Sequence, residues 1–107
     1  MTTRREKIEA MLQDEPNDQF LRYSLAMEFS KEDNHERSLG LLTELIEDNP
    51  PHVPAFFMAG QQLAGLGQIN KARDVLRAGI DVARQQGNQH AAGEMSEFLI
   101  SLGGAGE

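Results

Sequence analysis

Residues 25–45 read LAMEFSKEDNHERSLGLLTEL, and residues 59–79 read AGQQLAGLGQINKARDVLRAG. Laid over one another at a shift of 34 residues, they set Leu25-Ala26 against Ala59-Gly60, Phe29 against Leu63, Ser38 against Ala72, Leu42 against Leu76 and Leu45 against Gly79. In most of these pairs small faces small or large faces large. Pro16 and Pro50 keep the same spacing, each after an acidic or amide stretch, Asp14-Glu15 and Asp48-Asn49. A period of this length marks a repeat array, in which one unit cannot bury its apolar face alone and stacks on the next.

Working outward from this pair, the apolar spacing predicts six helices. The first covers 4–13, with Ile8, Met11 and Leu12 on one face, and Pro16 closes it. The second covers 17–31. The third covers 34–48, with Ser38, Leu41, Leu42, Leu45 and Ile46 in one stripe. Asn49-Pro50-Pro51 breaks the chain. The fourth covers 53–66, with Pro54 in its first turn, where a missing N–H is harmless. Gly67 makes a tight turn. The fifth covers 70–86, with Ala72, Leu76, Gly79, Ile80 and Ala83 inward, and Gly87-Asn88 stops it. The sixth covers 89–102, with Ala91, Ala92, Met95, Phe98, Leu99 and Leu102 on one broad face and Ile100 opposite. Residues 103–107, rich in glycine, are expected to form a flexible tail. Loops this short require consecutive helices to pack antiparallel. Small residues at Ala26, Ser38, Gly60, Ala72 and Gly79 let the paired helices approach closely.

Composition agrees with an all-α domain. The 107 residues are 39% hydrophobic and 25% charged, and good helix formers dominate. With 17 acidic and 10 basic residues the formal charge is −7, so a nucleic acid would be repelled. The excess is uneven: residues 1–52 hold 12 acids and 6 bases, and residues 53–107 hold 5 acids and 4 bases. There is no cysteine, so disulfide and thiol chemistry are excluded. The charged N-terminal stretch lacks an apolar leader-like segment, and no apolar run reaches membrane-spanning length. A cytoplasmic protein without membrane association is the expectation.

The periodic residues resemble the tetratricopeptide repeat family, whose 34-residue signature runs W-x2-L-G-x2-Y, then A-x3-F, then P. Residues 19–52 supply Leu25, Ala26, Phe29, Ser38, Leu42, Leu45 and Pro50 as a first repeat. Residues 53–86 supply Phe56, Ala59, Gly60, Leu63, Gly67, Ala72, Leu76 and Gly79 as a second. Residues 4–16 are similar to the second half of a preceding repeat, and residues 89–102 to a capping helix, so one domain spans the chain. Three positions depart from the pattern: Arg22 replaces an aromatic, Asp33 a turn glycine and Arg84 a closing proline. The resemblance implies an all-α, right-handed solenoid of about six antiparallel helices that acts as a protein–protein interaction scaffold.

In such a family the first helix of each pair lines a concave groove. The matching positions are Phe20, Tyr23, Met27 and Ser30 on one helix, and Pro54, Phe57, Gln61 and Ala64 on the other. An aromatic, Met-bearing groove of this kind suits a peptide or helix of a protein partner. The alternative is that these residues pack between helices or under the last helix. Some family members grip a C-terminal carboxylate with a Lys/Asn/Arg cluster. Here Tyr23 and Met27 stand at two of those places and Lys31 is the nearby cation, so that mode is disfavoured.

Other chemistries find little footing. His35, His52 and His90 fall in or beside three separate loops, without i, i+4 pairing, and read as exposed rather than metal-binding. The pairs Asp14-Glu15, Glu32-Asp33 and Glu47-Asp48 read as solvated charge and lack the calcium-loop pattern. Gly60, Gly65 and Gly67 are followed by no Gly-Lys-Ser/Thr, and no G-x-S-x-G occurs. No enzyme, cofactor or metal is expected. A second class of function stays open, a structural subunit that joins a larger complex or a weak homo-oligomer through its end helices, with Ile100 and Met11 the residues to watch.

Overall fold

The computed structural model describes residues 2–103. Six helices follow one another: α1 (Arg4–Asp14), α2 (Gln19–Lys31), α3 (His35–Glu47), α4 (Val53–Gly65), α5 (Ile69–Gln85) and α6 (Gln89–Ser101). No strand occurs among the described residues. The glycine-rich tail lies outside them from residue 104 onward.

Each helix starts and stops for a local reason. Thr3 and Glu6 form a reciprocal capping box at α1: the Glu6 N–H donates to Thr3 Oγ1 (3.1 Å) and the Thr3 N–H to Glu6 Oε1 (3.0 Å). Asp18, Asn34 and Asn88 cap α2, α3 and α6 by accepting a backbone N–H three residues on. Three helices end in the same way. Asp33, Gly67 and Gly87 have φ of 61°, 82° and 76°, and the next N–H reaches the carbonyl five residues back at 2.8 Å in all three. This is the left-handed helix stop usually given to glycine. Asp33, the departure noted in the sequence, therefore keeps the turn, because an aspartate tolerates this region better than other side chains.

The α3–α4 link has a different logic. Its Asn49–Pro50 peptide is cis. Gln19 Nε2 donates to Asp48 Oδ2 (3.0 Å) and to the Pro50 carbonyl (2.9 Å), and Arg22 forms an ion pair with Asp48. From the far side Gln86 Nε2 donates to the Pro51 carbonyl at 3.0 Å. Arg22, where the family pattern has an aromatic, thus ties the start of α2 to the end of α3. Asp48 is half-buried in this network, which corrects its reading as solvated charge.

The helices pack in chain order. α3 is wedged between α2 and α4, and α5 between α4 and α6, while α1 leans on α2. The core divides into three clusters that grow along the chain. Ile8, Leu25 and Phe29 form the first, Ala26, Leu42, Leu45, Ala55 and Ala59 the second. The third holds eight buried residues, among them Phe56, Leu76, Ile80, Met95 and Leu99. Phe29 also sits under two guanidinium groups, Arg5 and Arg37, each 5.6 Å from its ring centre. The inward residues expected on α5 are all buried, whereas Leu63 on α4 and Leu41 and Ile46 on α3 are half-buried.

Two glycines set the spacing. A Cβ at Gly79 would lie 2.5 Å from Phe56 Cβ and 2.7 Å from Met95 Sδ, and one at Gly60 would lie 2.7 Å from Leu76. Gly40, within α3, meets nothing within 4 Å. Gly79→Ala should therefore destabilise by about 1–3 kcal/mol through overpacking. Gly40→Ala should stabilise by about 0.5–1 kcal/mol, since it only removes backbone freedom from the unfolded chain. Chemical denaturation of the two variants should show these opposite shifts in midpoint.

Candidate functional site

A buried polar chain fixes how α2, α3 and α4 sit together. Ser38 Oγ donates to the Ala26 carbonyl (2.7 Å), Gln62 Nε2 donates to Ser38 Oγ (2.8 Å), and His35 Nδ1 lies 2.9 Å from Gln62 Oε1. The directions close if His35 carries its proton on Nδ1. Every polar group in the chain then has a partner, which burial requires.

On the far face of α4 two hollows adjoin. The first, about 470 Å³, lies between α2 and α4 and is lined by Met27, Ser30, Lys31, His35, Met58, Gln61, Gln62, Gly65 and Leu66. The second, about 370 Å³, is bounded by Tyr23 from α2, by Pro54, Phe57, Met58 and Gln61 from α4, and by His90, Ala91 and Glu94 from α6. Met58 and Gln61 line both, so the hollows form one trough across α4. Its walls are mostly apolar, with Lys31 at one end and Glu94 at the other.

Of the seven groove residues expected from the sequence, the structure gathers five here. Tyr23 and Phe57 line the second hollow, Met27 and Ser30 the first, and Gln61 both. Phe20 does not join them. It is 71% exposed and faces α1, beside Ile8 and Met11. Ala64 is half-buried and lines neither hollow. Phe57 is shared between trough and packing, since its ring meets Phe98 of α6 edge-on at 5.9 Å. Sequence reasoning missed Met58 and Leu66. Both lie along the same side of α4 as Gln61, so a search for apolar residues flanking Gln61 at helical spacing would have found them.

Two histidines also need correction. His35 and His52 are half-buried rather than exposed, and only His90 stands in the open. The His52 ring meets Tyr23 edge-on at 5.2 Å. Burial, and then the Arg22 charge, push the His52 pKa below its ordinary value, with Asp48 opposing. Burial raises the Tyr23 pKa. The hydrogen bonds from Arg22 and then Gln19 hold Asp48 below the usual carboxylate range. Glu28 is another buried carboxylate, 3.2 Å from both Arg4 and Lys31. Among the described residues no three His, Asp or Glu side chains come together as a metal site would need. No helix among them is long and apolar enough to cross a membrane.

No family model matches the sequence, and no curated protein matches it. Solved structures do. A solution structure of a tetratricopeptide repeat domain protein from Salinibacter ruber is 35% identical with a TM-score of 0.78, over 82% of this chain and 89% of that one. A crystal structure of a tetratricopeptide repeat domain protein from the same organism is 35% identical with a TM-score of 0.73, over 80% and 96%. The solution structure of a protein from Bordetella parapertussis is 26% identical with a TM-score of 0.80, over 95% and 89%.

The wall behind Tyr23 gives the fold a pH dependence of definite sign. His52 is neutral more readily in the fold than in the unfolded chain, so the unfolded chain gains the proton first as pH falls. Stability should drop as pH passes below the ordinary imidazole value of 6.5 and level off below the lowered folded value. Asp48 has the opposite origin and the same direction. Its contribution is complete above the ordinary value of 3.8 and is lost as pH falls through the depressed one. Urea midpoints measured across this range should show two steps. His52→Gln should flatten the upper one and Asp48→Asn the lower.

Proposed function

The chain belongs to the tetratricopeptide repeat family, and from that premise we propose that it is a binding scaffold whose trough across α4 holds a peptide or helix of a partner protein. Residues 19–52 and 53–86 serve as its two repeats, with 4–16 and 89–102 closing the ends. The supporting observation is the sharing of Met58 and Gln61 by two adjoining apolar hollows, with Tyr23, Met27 and Phe57 around them. A partner side chain can seat in each hollow while its backbone crosses Gln61. Aromatic and methionine walls supply contact area and can adapt to the bound shape. The wall itself is held by the Ser38–Gln62–His35 chain, so little ordering is left to do on binding. On this reading the protein carries out no reaction and uses no cofactor, and its partner is a cytoplasmic protein.

Gln61 offers the cleanest test, because it is exposed and borders both hollows. Gln61→Arg should block the trough and leave the melting transition unchanged. Tyr23→Ala with Phe57→Ala should remove two anchors and weaken binding at least tenfold, as loss of interface hot spots does. Affinity capture with the folded wild type and both variants decides the matter. A protein retained by wild type and lost from both variants supports the trough; one retained by all three rejects it.

A further inference from the structure

Four large hydrophobic side chains stand exposed among the described residues, and three of them lie at the ends of the stack: Met11 (48%), Phe20 (71%) and Ile100 (67%). The ends are also where packing is incomplete. α3 and α5 each have a helix on both flanks, whereas α1 packs against α2 alone and α6 chiefly against α5. Each terminal helix leaves a seam. The α1–α2 seam, a groove of about 160 Å³, has Ile8, Met11, Phe20 and Leu21 in its floor and Arg4 and Lys7 on its rim, with no carboxylate. The α5–α6 seam, about 540 Å³, presents Ile80, Leu99 and Ile100. α6 contains no lysine or arginine and exposes Glu94 and Glu97, the latter one turn before Ile100.

We propose that these ends join to each other: α6 of one copy seats in the α1–α2 seam of the next, with Ile100 entering between Met11 and Phe20 and Glu97 facing Arg4 and Lys7. Neither end suits itself. Two α1–α2 seams would place Arg4 and Lys7 of one copy against those of the other, and two α6 faces would oppose their glutamates. The mixed pairing satisfies both charge sets and covers all three exposed side chains. It also continues the order seen inside the molecule, where each seam between consecutive helices is filled by a further helix. The contact uses two different patches, so it does not close on itself and gives short open chains rather than a symmetric dimer. It is independent of the trough, which neither patch touches.

Sedimentation velocity near physiological salt tests this. There the screening length is about 8 Å, so the −7 charges of whole copies repel weakly while contact pairs persist. The wild-type sedimentation coefficient should rise with concentration up to about 1 mM, the weak limit of useful association. Ile100→Asp and Phe20→Asp alter exposed side chains, so both should fold as wild type by circular dichroism, and each alone should stay monomeric. Mixed one to one, they retain a single good interface and should form a heterodimer that grows no further. Gln61→Arg should assemble as wild type. A wild type that stays monomeric to about 1 mM overturns the proposal. So does either end variant assembling alone, or a mixture that fails to dimerise.

Discussion

The closest approach in the molecule is between α4 and α5, where Gly79 sits against Phe56 and Gly60 against Leu76 with no room for a methyl group. Much of the rest depends on it. Because Phe56, Ala59 and Gly60 must face α5, the opposite side of α4 is left to Pro54, Met58 and Gln61. That side becomes the trough. Met95 of α6 touches the same spot at Gly79, so α6 is positioned by the contact that sets the hairpin. The second hollow has its width for this reason.

The trough gains its rigidity from polar rather than apolar contacts. The core between α2 and α4 is made largely of alanine and leucine and could slide with modest loss. The chain from His35 through Gln62 and Ser38 to the Ala26 carbonyl cannot, because a shift of one partner would leave the others buried and unpaired. Apolar packing thus brings the helices together, and this chain selects one register.

Much of the fold was legible in the sequence because its punctuation is local. Thr3, Asp18, Asn34 and Asn88 begin helices, Gly67 and Gly87 end them, and each acts within a few residues. The inward face of α5 was legible for the same reason. The sites that sequence reasoning misread depend on distant partners. Asp48 meets Arg22 from 26 residues away and His35 meets Gln62 from 27, distances over which helical periodicity carries no information. Phe20 failed differently. At about 100° per residue it projects between the arc of Tyr23, Met27 and Ser30 and the arc of Leu21 and Ser24. The neighbour decides such a borderline position, and here the neighbour is α1.

The unequal core clusters make the molecule's resistance to opening directional. α1 is fastened chiefly by Ile8 against Leu25 and Phe29, with ion pairs from Arg4 and Arg5, whereas α4, α5 and α6 share the eight buried residues of the largest cluster. In a stack each helix is held only by its neighbours, so local opening free energies follow these local contacts. α1 is then the first helix to detach, and slowly exchanging amide protons concentrate in α4 and α5. A protease that cuts only opened chain would work inward from the first helix, erasing the Arg4, Lys7 and Met11 side of one end before it reached the trough.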